Sequence, residues 1–182
     1  MSDFRRVAEE ELLTAWLFRV DRVHLLDPDG QPFDRVVVRH PGAVTVVPLH
    51  EDATVTLVRQ YRASVDALVL ELPAGTLDHD GESPQAAARR ELVEEAGLTA
   101  ANLELLVDMW NSPGVSDQHT LVYLATGLAS VPTDRQGVEE EHMSTQRLAL
   151  DDLDARVADG SLRDAATVLG LTLARARVGR PS

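Results

Sequence analysis

Three glutamates near the middle of the chain have a spacing that could hold a metal ion. Glu91, Glu94 and Glu95 stand at positions i, i+3 and i+4, so they share one face if this stretch is helical. Like charges this close repel each other and cost a helix about 0.2–0.5 kcal/mol per pair. A cation would turn the repulsion into attraction, and clustered carboxylate oxygens are ligands of hard divalent ions such as Mg²⁺. Taken alone, the spacing also fits a solvated acidic helix face.

The flanking residues predict the helix that would present these carboxylates. Ser83 can cap its N-terminus, and Pro84 suits the first helical position. Gly97 stands where a residue in the left-handed conformation commonly ends a helix. An apolar stripe with helical spacing runs beside the acidic face and consists of Ala88, Leu92 and Ala96. We therefore expect one edge of the helix to pack on a core while the neighbouring edge offers carboxylates.

A short strand and a glycine-containing loop are predicted just before this helix. Residues 68–72 are rich in leucine and valine, which is typical of a buried strand, and residues 73–75 read Pro-Ala-Gly. A strand, a loop and an acidic helix in this order would form a metal-binding pocket with accessible backbone.

The segment from Glu82 to Leu98 resembles the Nudix box. Glu82 is followed by seven residues and then by Arg90 and Glu91, as the pattern requires. The remaining positions of the pattern are filled by Leu92, Glu94, Glu95, Gly97 and Leu98. One departure is that Gly75 lies seven positions before Glu82, where the pattern has six. The additional residue falls in the turn-rich stretch 76–81, which can absorb an insertion cheaply.

Further segments are similar to the ADP-ribose pyrophosphatase subfamily of Nudix hydrolases. Residues 57–62 and 71–75 resemble its entry to the box, and residues 112–117 resemble its downstream signature. Pro113 lies sixteen positions after Gly97, which is the offset of the proline that marks this subfamily. The resemblance implies Mg²⁺-dependent hydrolysis of the pyrophosphate bond of ADP-ribose to AMP and ribose 5-phosphate. Two alternatives are a pyrophosphatase for another nucleoside diphosphate sugar and a non-catalytic Nudix metabolite sensor, but sensors tend to lose the box carboxylates that this chain keeps.

The resemblance also implies the metal ligands. Mg²⁺ is the expected ion, with Mn²⁺ as a second possibility. The leading ligands are Glu91 and Glu95, followed by Glu94, the backbone carbonyl of Ala74 and Glu82. We expect the neighbouring arginine at position 90 to pair with a carboxylate and fix its rotamer rather than to act in catalysis.

A general base is expected from a later loop, as in the ADP-ribose pyrophosphatases. The stretch 131–143 is polar and contains a run of three glutamates. Glu139 and Glu140 are near-equal candidates, and Glu141 and His142 are alternatives. Among the box residues, Glu95 is also expected to be catalytic.

Substrate-binding residues are expected on the strand before the box and in the N-terminal segment. Arg59 and Arg62 flank Gln60 and Tyr61, and one of the two arginines is expected to contact the diphosphate or the terminal ribose. Strand alternation places Arg59 and Tyr61 on one face and Arg62 on the other. Glu71 is the candidate for binding ribose hydroxyls, and Trp16 and Phe18 are candidates for stacking on the adenine ring. Pro113 is the candidate at the signature position. The resemblance implies that the N-terminal strands cross to a second subunit, so that Trp16 or Phe18 acts in trans.

Composition limits the class of protein. The 182 residues carry a net charge of −13 and no cysteine, which argues against general nucleic-acid affinity, disulfides and thiolate metal sites. No apolar run reaches the roughly 20 residues of a membrane-spanning helix. We therefore expect a cytoplasmic protein whose partners are a small nucleoside diphosphate substrate and a second copy of the chain.

The chain is predicted to be α+β, with a Nudix α/β/α sandwich around a mixed sheet and a small N-terminal β-strand subdomain. We expect residues 1–40 to form the dimerisation subdomain and residues 41–178 the Nudix hydrolase domain. Strands are predicted at 16–26 and 33–40, which the turn signal at residues 27–30 joins into a hairpin. Two more strands are predicted at 43–49 and 54–59, paired around residues 50–52, and further strands at 103–110 and 120–125. Helices are predicted at 150–158 and 162–178 in addition to the acidic helix.

Overall fold

A computed structural model describes residues 3–133 and 142–179. The strands in these ranges are β1 Arg5–Thr14, β2 Arg19–Leu26, β3 Pro32–Arg39, β4 Ala43–Pro48, β5 Thr54–Arg62, β6 Ala67–Glu71, β7 Ala74–Thr76, β8 Leu98–Trp110, β9 His119–Ser130 and β10 Ser144–Ala149. The α-helices there are α1 Pro84–Ala96, α2 Leu153–Ala158 and α3 Ala165–Val178, and a 3₁₀ turn at Leu150–Asp152 leads into α2.

The strands form three sheets within the described residues. Their strand orders are β1-β2-β3, β10-β5-β6 and β7-β4-β9-β8. In the last of these, β4 runs parallel to β9 and antiparallel to β7, which confirms the predicted mixed sheet. By contacts the chain divides into a first unit, which extends to Gly42 and includes Trp110–His119, and a second unit, which holds Ala43–Met109 and the chain from Thr120 onward. The predicted boundary at residue 40 and the roles of the two parts stay predictions.

Helices cover both faces of the central sheet in the second unit. On one face, Val44 and Val46 of β4 are buried with Ala88 and Leu92 of α1. On the other face, Val47 of β4 is buried in a cluster with Leu171 of α3. The approach of α3 is so close that a β-carbon at Gly170 would lie 2.8 Å from Leu72. The α+β fold with a sandwich arrangement is thus confirmed, because β4 is apolar on both faces and each face needs a helix to cover it.

The helix that carries the glutamates begins and ends where its sequence predicts. The Ser83 hydroxyl accepts a hydrogen bond from the Ala86 backbone N–H at 3.2 Å, and Pro84 is the first helical residue. Gly97 ends the helix with φ 62°, a left-handed conformation that glycine adopts without steric cost.

Several predicted elements differ from the structure. β4 and β5 do not pair along their lengths but belong to different sheets. Where the chain turns between them, there is an isolated bridge between Leu49 and Val55 and a backbone hydrogen bond from His50 to Thr54. Residues 74–76 form β7 on the edge of β4 instead of a loop. The strand β1 was not predicted from its sequence, and all ten of its residues are exposed.

The first unit contains a three-stranded sheet. Its β2–β3 hairpin confirms the predicted turn, in which the Asp27 side chain accepts from the backbone N–H groups of Asp29 and Gln31 and Gly30 has φ 80°. Trp16 and Phe18 lie in the connection between β1 and β2, so the prediction that they belong to a strand starting at residue 16 is wrong. No helix within the described ranges is long and apolar enough to cross a membrane.

Candidate active site

The Arg90 guanidinium joins three of the predicted metal-ligand side chains. It donates to both carboxylate oxygens of Glu82 at 3.1 Å. Its Nη1 donates to Glu91 Oε1 at 2.6 Å and to Glu94 Oε2 at 2.9 Å. The bonds to Glu82, together with the charge of Glu91 and the hydrogen bonds to Glu91 and Glu94, raise the pKa of Arg90 despite its partial burial. Arg90 therefore keeps these carboxylates together although they repel one another, as its expected role requires.

Glu91 is buried against the backbone of β7. Only 6% of its surface is exposed, and its carboxylate lies so close to the Cα of Gly75 that a β-carbon there would overlap it. A glycine is therefore required at this position by the close approach of the carboxylate. This contact gives the first glycine of the motif a steric role: because it has no side chain, Gly75 leaves room for the carboxylate of Glu91, the first glutamate of α1.

Glu95 of α1 is buried against the same short strand, β7, with 3% of its surface exposed. Its Oε2 accepts a hydrogen bond of 2.9 Å from the backbone N–H of Ala74. Ala74 and Gly75 are thus neighbours in β7 that each contact one of the two leading ligands, and the structure brings Glu91, Glu95 and Ala74 together at the junction of β7 and α1.

The donor atoms at this junction fit a hard divalent cation, of which Mg²⁺ is an example. Among the described residues, no group of three Asp, Glu or His side chains could hold a metal ion by itself. Mg²⁺ does not need such a cage, because it usually binds through one or two carboxylates and completes its shell with water and substrate phosphates. The carboxylates of Glu91 and Glu95 provide that chemistry, and the set contains oxygen donors rather than the nitrogen and sulfur donors that Zn²⁺ prefers.

Arg62 and Glu71 form a second ion pair beside the carboxylate site. The Arg62 Nη2 lies 2.8 Å from Glu71 Oε2, and the amide of Gln60 donates to the same carboxylate oxygen at 3.2 Å. Burial works to lower the pKa of Arg62, but Glu71 outweighs it and the pKa is raised, with a smaller contribution from the charge of Glu95. The contribution of Glu95 indicates that Arg62 is near enough to the carboxylate site to interact with it electrostatically.

A cavity of about 810 Å³ opens at this ion pair. Arg59, Arg62 and Glu71 line it, as do residues from β6, β10 and the connection between α2 and α3. Arg59 and Tyr61 are exposed while Gln60 is buried, which confirms the predicted alternation along β5. Gln60 was given no role from the sequence: alternation places it on the face of Arg62, but only the antiparallel pairing of β5 with β6 brings it to Glu71.

The remaining predicted substrate residues lie in the first unit. Trp16 is 92% exposed and Phe18 is 40% exposed, and both line a shallow groove together with Arg19, Arg39 and Asp117. Pro113 lies in the turn that follows β8 and belongs to the same unit. The role of each in binding stays a prediction. Glu139, Glu140 and Glu141 lie outside the described residues, so the choice of base also stays a prediction.

Comparison with known proteins identifies the family. A NUDIX domain model matches residues 38–166. An ADP-ribose pyrophosphatase of Mycobacterium tuberculosis is 37% identical over 93% of this chain and 82% of its own length. One from Bacillus subtilis is 31% identical over 92% of this chain and 90% of its own length. A GDP-mannose pyrophosphatase of Yersinia enterocolitica is 30% identical over 91% of this chain and 92% of its own length.

A solved structure agrees with these sequence relatives. The crystal structure of an ADP compounds hydrolase superposes with a TM-score of 0.81 and 27% identity, and the match covers 96% of this chain and 94% of that one. The family model spans most of the second unit, including β7, α1 and every carboxylate around Arg90. The predicted resemblance is confirmed: the chain belongs to the Nudix family.

Proposed function

We propose that this protein is a Mg²⁺-dependent pyrophosphatase that hydrolyses ADP-ribose to AMP and ribose 5-phosphate. The observation that carries the proposal is the pair of buried carboxylates on α1, Glu91 and Glu95, each seated on the backbone of β7. Relatives that cover most of the chain are ADP-ribose pyrophosphatases, and the matching solved structure is of an ADP compounds hydrolase. Together these support both the reaction and the adenosine diphosphate part of the substrate.

The arrangement around β7 suits phosphoryl chemistry. When bound, Mg²⁺ supplies polarisation of the phosphate oxygens and lowers the pKa of the attacking water. Glu91, Glu95 and the carbonyl of Ala74 would hold the ion, with Glu94 and Glu82 as additional or alternative ligands. Arg90 orients Glu91 and Glu94 through its hydrogen bonds, so the carboxylates need little rearrangement before they act. Mn²⁺ has similar ligand preferences and is expected to substitute.

The proton of the attacking water requires a base. Carboxylates that bind a cation are poor bases, since the bound charge lowers their pKa. We assign this role to Glu139 or Glu140, on the basis of the resemblance to ADP-ribose pyrophosphatases. A positioned base of this kind contributes about 10²- to 10⁴-fold to the rate.

The sugar end of the substrate is proposed to lie at the Arg62–Glu71 pair. Glu71 can accept hydrogen bonds from ribose hydroxyls while Arg62 keeps it ionised and oriented. Arg59 adds a second cation on the wall of the same cavity. These contacts support a substrate with a diphosphate next to a hydroxylated sugar.

A substrate panel tests the proposal. The full-length chain is assayed with Mg²⁺ against ADP-ribose, ADP-glucose, GDP-mannose, NADH and diadenosine polyphosphates, and kcat/KM is compared. We expect ADP-ribose to have the highest value. A second candidate is a pyrophosphatase for another nucleoside diphosphate sugar, which is favoured by the GDP-mannose pyrophosphatase among the relatives. A higher kcat/KM for GDP-mannose would establish that second candidate, and hydrolysis of no member would refute both.

We further propose that the protein is a cytoplasmic homodimer whose first unit supplies Trp16 or Phe18 to the adenine of a neighbouring subunit. The support is the exposed apolar surface of that unit, since the side chains of Val7, Leu13 and Trp16 are more than half exposed and β1 is an edge strand. Unpaired edges and large exposed apolar surfaces commonly mark association sites. Light scattering should give twice the 19.8 kDa chain mass, and a mass of one chain from an active sample would refute the dimer.

A further inference from the structure

Within the part of the chain that the structure describes, nine of the fifteen arginines form an ion pair with an aspartate or glutamate. The chain contains 17 arginines and no lysine, together with 30 aspartates and glutamates. In the second unit, for example, Arg147 pairs with Asp52 and Arg175 pairs with Asp154. An excess of carboxylates favours such pairing, so several arginines without an acidic partner in one cavity are of interest.

Three arginines that line the cavity at the Arg62–Glu71 pair lack such partners. Within the described ranges, the guanidinium groups of Arg59, Arg156 and Arg163 form neither a hydrogen bond nor an ion pair, and all three line that one cavity. Arg59 projects from β5, whereas Arg156 lies in the last turn of α2 and Arg163 precedes α3. Separate elements of the fold therefore bring three cations without an ion-paired carboxylate to the same space.

The segment that carries two of these arginines is held in place by hydrogen bonds. The backbone carbonyl of Arg156 accepts from the Leu162 N–H at 3.0 Å and from the Ser161 hydroxyl at 3.2 Å. The Asp159 carboxylate accepts from the Ser161 N–H at 2.8 Å. This network defines the path of the backbone from α2 to α3, so Arg156 and Arg163 project from an ordered segment.

The acids of the cavity are already engaged. Glu71 accepts hydrogen bonds from Arg62 and Gln60, and Asp164 caps α3 by accepting from the Thr167 N–H at 2.7 Å. The nearby Asp159 has its pKa lowered chiefly by Ser161 and only secondarily by the charge of Arg156. The cavity wall therefore keeps a net positive charge that a neutral sugar would leave uncompensated.

We propose that Arg59, Arg156 and Arg163 form a binding site for a phosphate monoester, separate from the carboxylate site on α1. A phosphate monoester carries a charge of about −1.5 to −2 at pH 7 and presents three strong acceptor oxygens. Planar guanidinium groups bind such oxygens through paired, charge-assisted hydrogen bonds. The phosphate belongs either to a substrate that carries it beyond its pyrophosphate or to a free sugar phosphate.

A binding experiment tests the site without relying on hydrolysis. The full-length chain with Mg²⁺ is titrated calorimetrically with inorganic phosphate, ribose 5-phosphate and ribose. We compare the wild type, the double variant Arg156→Gln/Arg163→Gln, and Arg177→Gln, which removes an exposed arginine that pairs with Glu104 far along α3. Each lost charge-assisted hydrogen bond is worth about tenfold in Kd.

The site predicts saturable binding of both phosphates by the wild type, no binding of ribose, and a Kd at least about tenfold higher in the double variant. Arg177→Gln should bind as the wild type does. Phosphate that remains bound at Mg²⁺ would contribute equally to every variant, so the difference between variants isolates the arginines. Equal phosphate affinity in the wild type and a folded double variant would overturn the proposal, as would the absence of phosphate binding by the wild type.

Kinetics with ADP-ribose then separate the two sources, and this step rests on the proposed function. If the site receives a phosphate carried by the substrate, ADP-ribose with an additional phosphate on its terminal ribose will have a higher kcat/KM than ADP-ribose in the wild type, and this advantage will be lost in the double variant. If it receives a free sugar phosphate, that compound will change kcat at saturating ADP-ribose, and the change will be lost in the double variant. Failure of the chain to hydrolyse ADP-ribose would refute the proposed function while leaving the calorimetric result to decide the site.

Discussion

The carboxylate of Glu91 lies in the space that a side chain at position 75 would need, so Gly75 and Glu91 are complementary. This contact links the short strand β7 to the acidic helix α1 at the point where the metal ligands meet. The first glycine of the Nudix box therefore has a steric function in this chain, even though it lies one residue further from Glu82 than the pattern requires.

Replacement of Gly75 by alanine should impair catalysis without unfolding the protein. The new methyl group would displace only the end of the Glu91 side chain, which can rotate away, so the thermal midpoint should change little. The displaced carboxylate could no longer serve as a ligand at its present position. We expect the Mg²⁺ concentration for half-maximal rate to rise and kcat to fall by about tenfold or more.

A matched glycine provides the control for this variant. A β-carbon at Gly179 would make only an ordinary contact of 3.5 Å with the Arg175 carbonyl, so Gly179→Ala should have wild-type rates. Wild-type Mg²⁺ dependence of Gly75→Ala would show that the position of Glu91 against β7 does not matter for the reaction.

Removal of either leading carboxylate should reduce turnover sharply. Glu91→Gln and Glu95→Gln keep the shape of the side chain but lose a charged ligand, and we expect each to lower kcat by about 100-fold or more. Folding should survive because like-charge repulsion on α1 is relieved. Glu51→Gln, at an exposed glutamate in the turn after β4, is the control. Near-normal kcat at saturating Mg²⁺ in either variant would remove that residue from the site.

The general base should be identifiable by three single substitutions. Among Glu139→Gln, Glu140→Gln and Glu141→Gln, one should lower kcat by about 10²- to 10⁴-fold with little change in KM. The logarithm of its kcat should also lose its dependence on pH in the acidic range, since a glutamine cannot titrate. Full kcat in all three would transfer the role to His142 or to a box glutamate.

Local signals account for the parts of the site that could be predicted from the sequence. The start and end of α1 follow from Ser83, Pro84 and Gly97, and its buried edge follows from the spacing of Ala88 and Leu92. The order of carboxylates along the helix then places Glu91 and Glu95 on the side that faces β7. Each of these inferences depends on residues within about four positions of one another.

Pairings between distant segments could not be predicted in this way. The turn at residues 50–52 favours a hairpin of β4 with β5, but β4 pairs instead with β9, more than seventy residues further on. The strand β1 is exposed along its whole length, so its sequence lacks the alternation that indicates a half-buried strand. Arg156 and Arg163 belong to no motif, and only the fold brings them to the cavity beside Arg59.

The first unit should lose stability in acid through Asp21. This buried carboxylate accepts two hydrogen bonds of 2.8 Å from Arg19, which lower its pKa to about 2. An unfolded aspartate has a pKa of about 3.9, so the stabilisation is complete above that value and is lost as the pH falls through about 2. The free energy of unfolding of Asp21→Asn, measured with denaturant, should depend less on pH between 4 and 2 than that of the wild type. Equal slopes would remove Asp21 from the acid response.

The central claim is that the Glu91 and Glu95 site cleaves the pyrophosphate of ADP-ribose. The most direct measurement incubates the full-length chain with ADP-ribose and Mg²⁺ and resolves the products by chromatography, with EDTA and with Glu91→Gln as parallel samples. We predict AMP and ribose 5-phosphate in equal amounts from the wild type and almost none from the other two samples. Intact ADP-ribose in the wild-type sample, or equal product formation in the Glu91→Gln sample, would contradict the account.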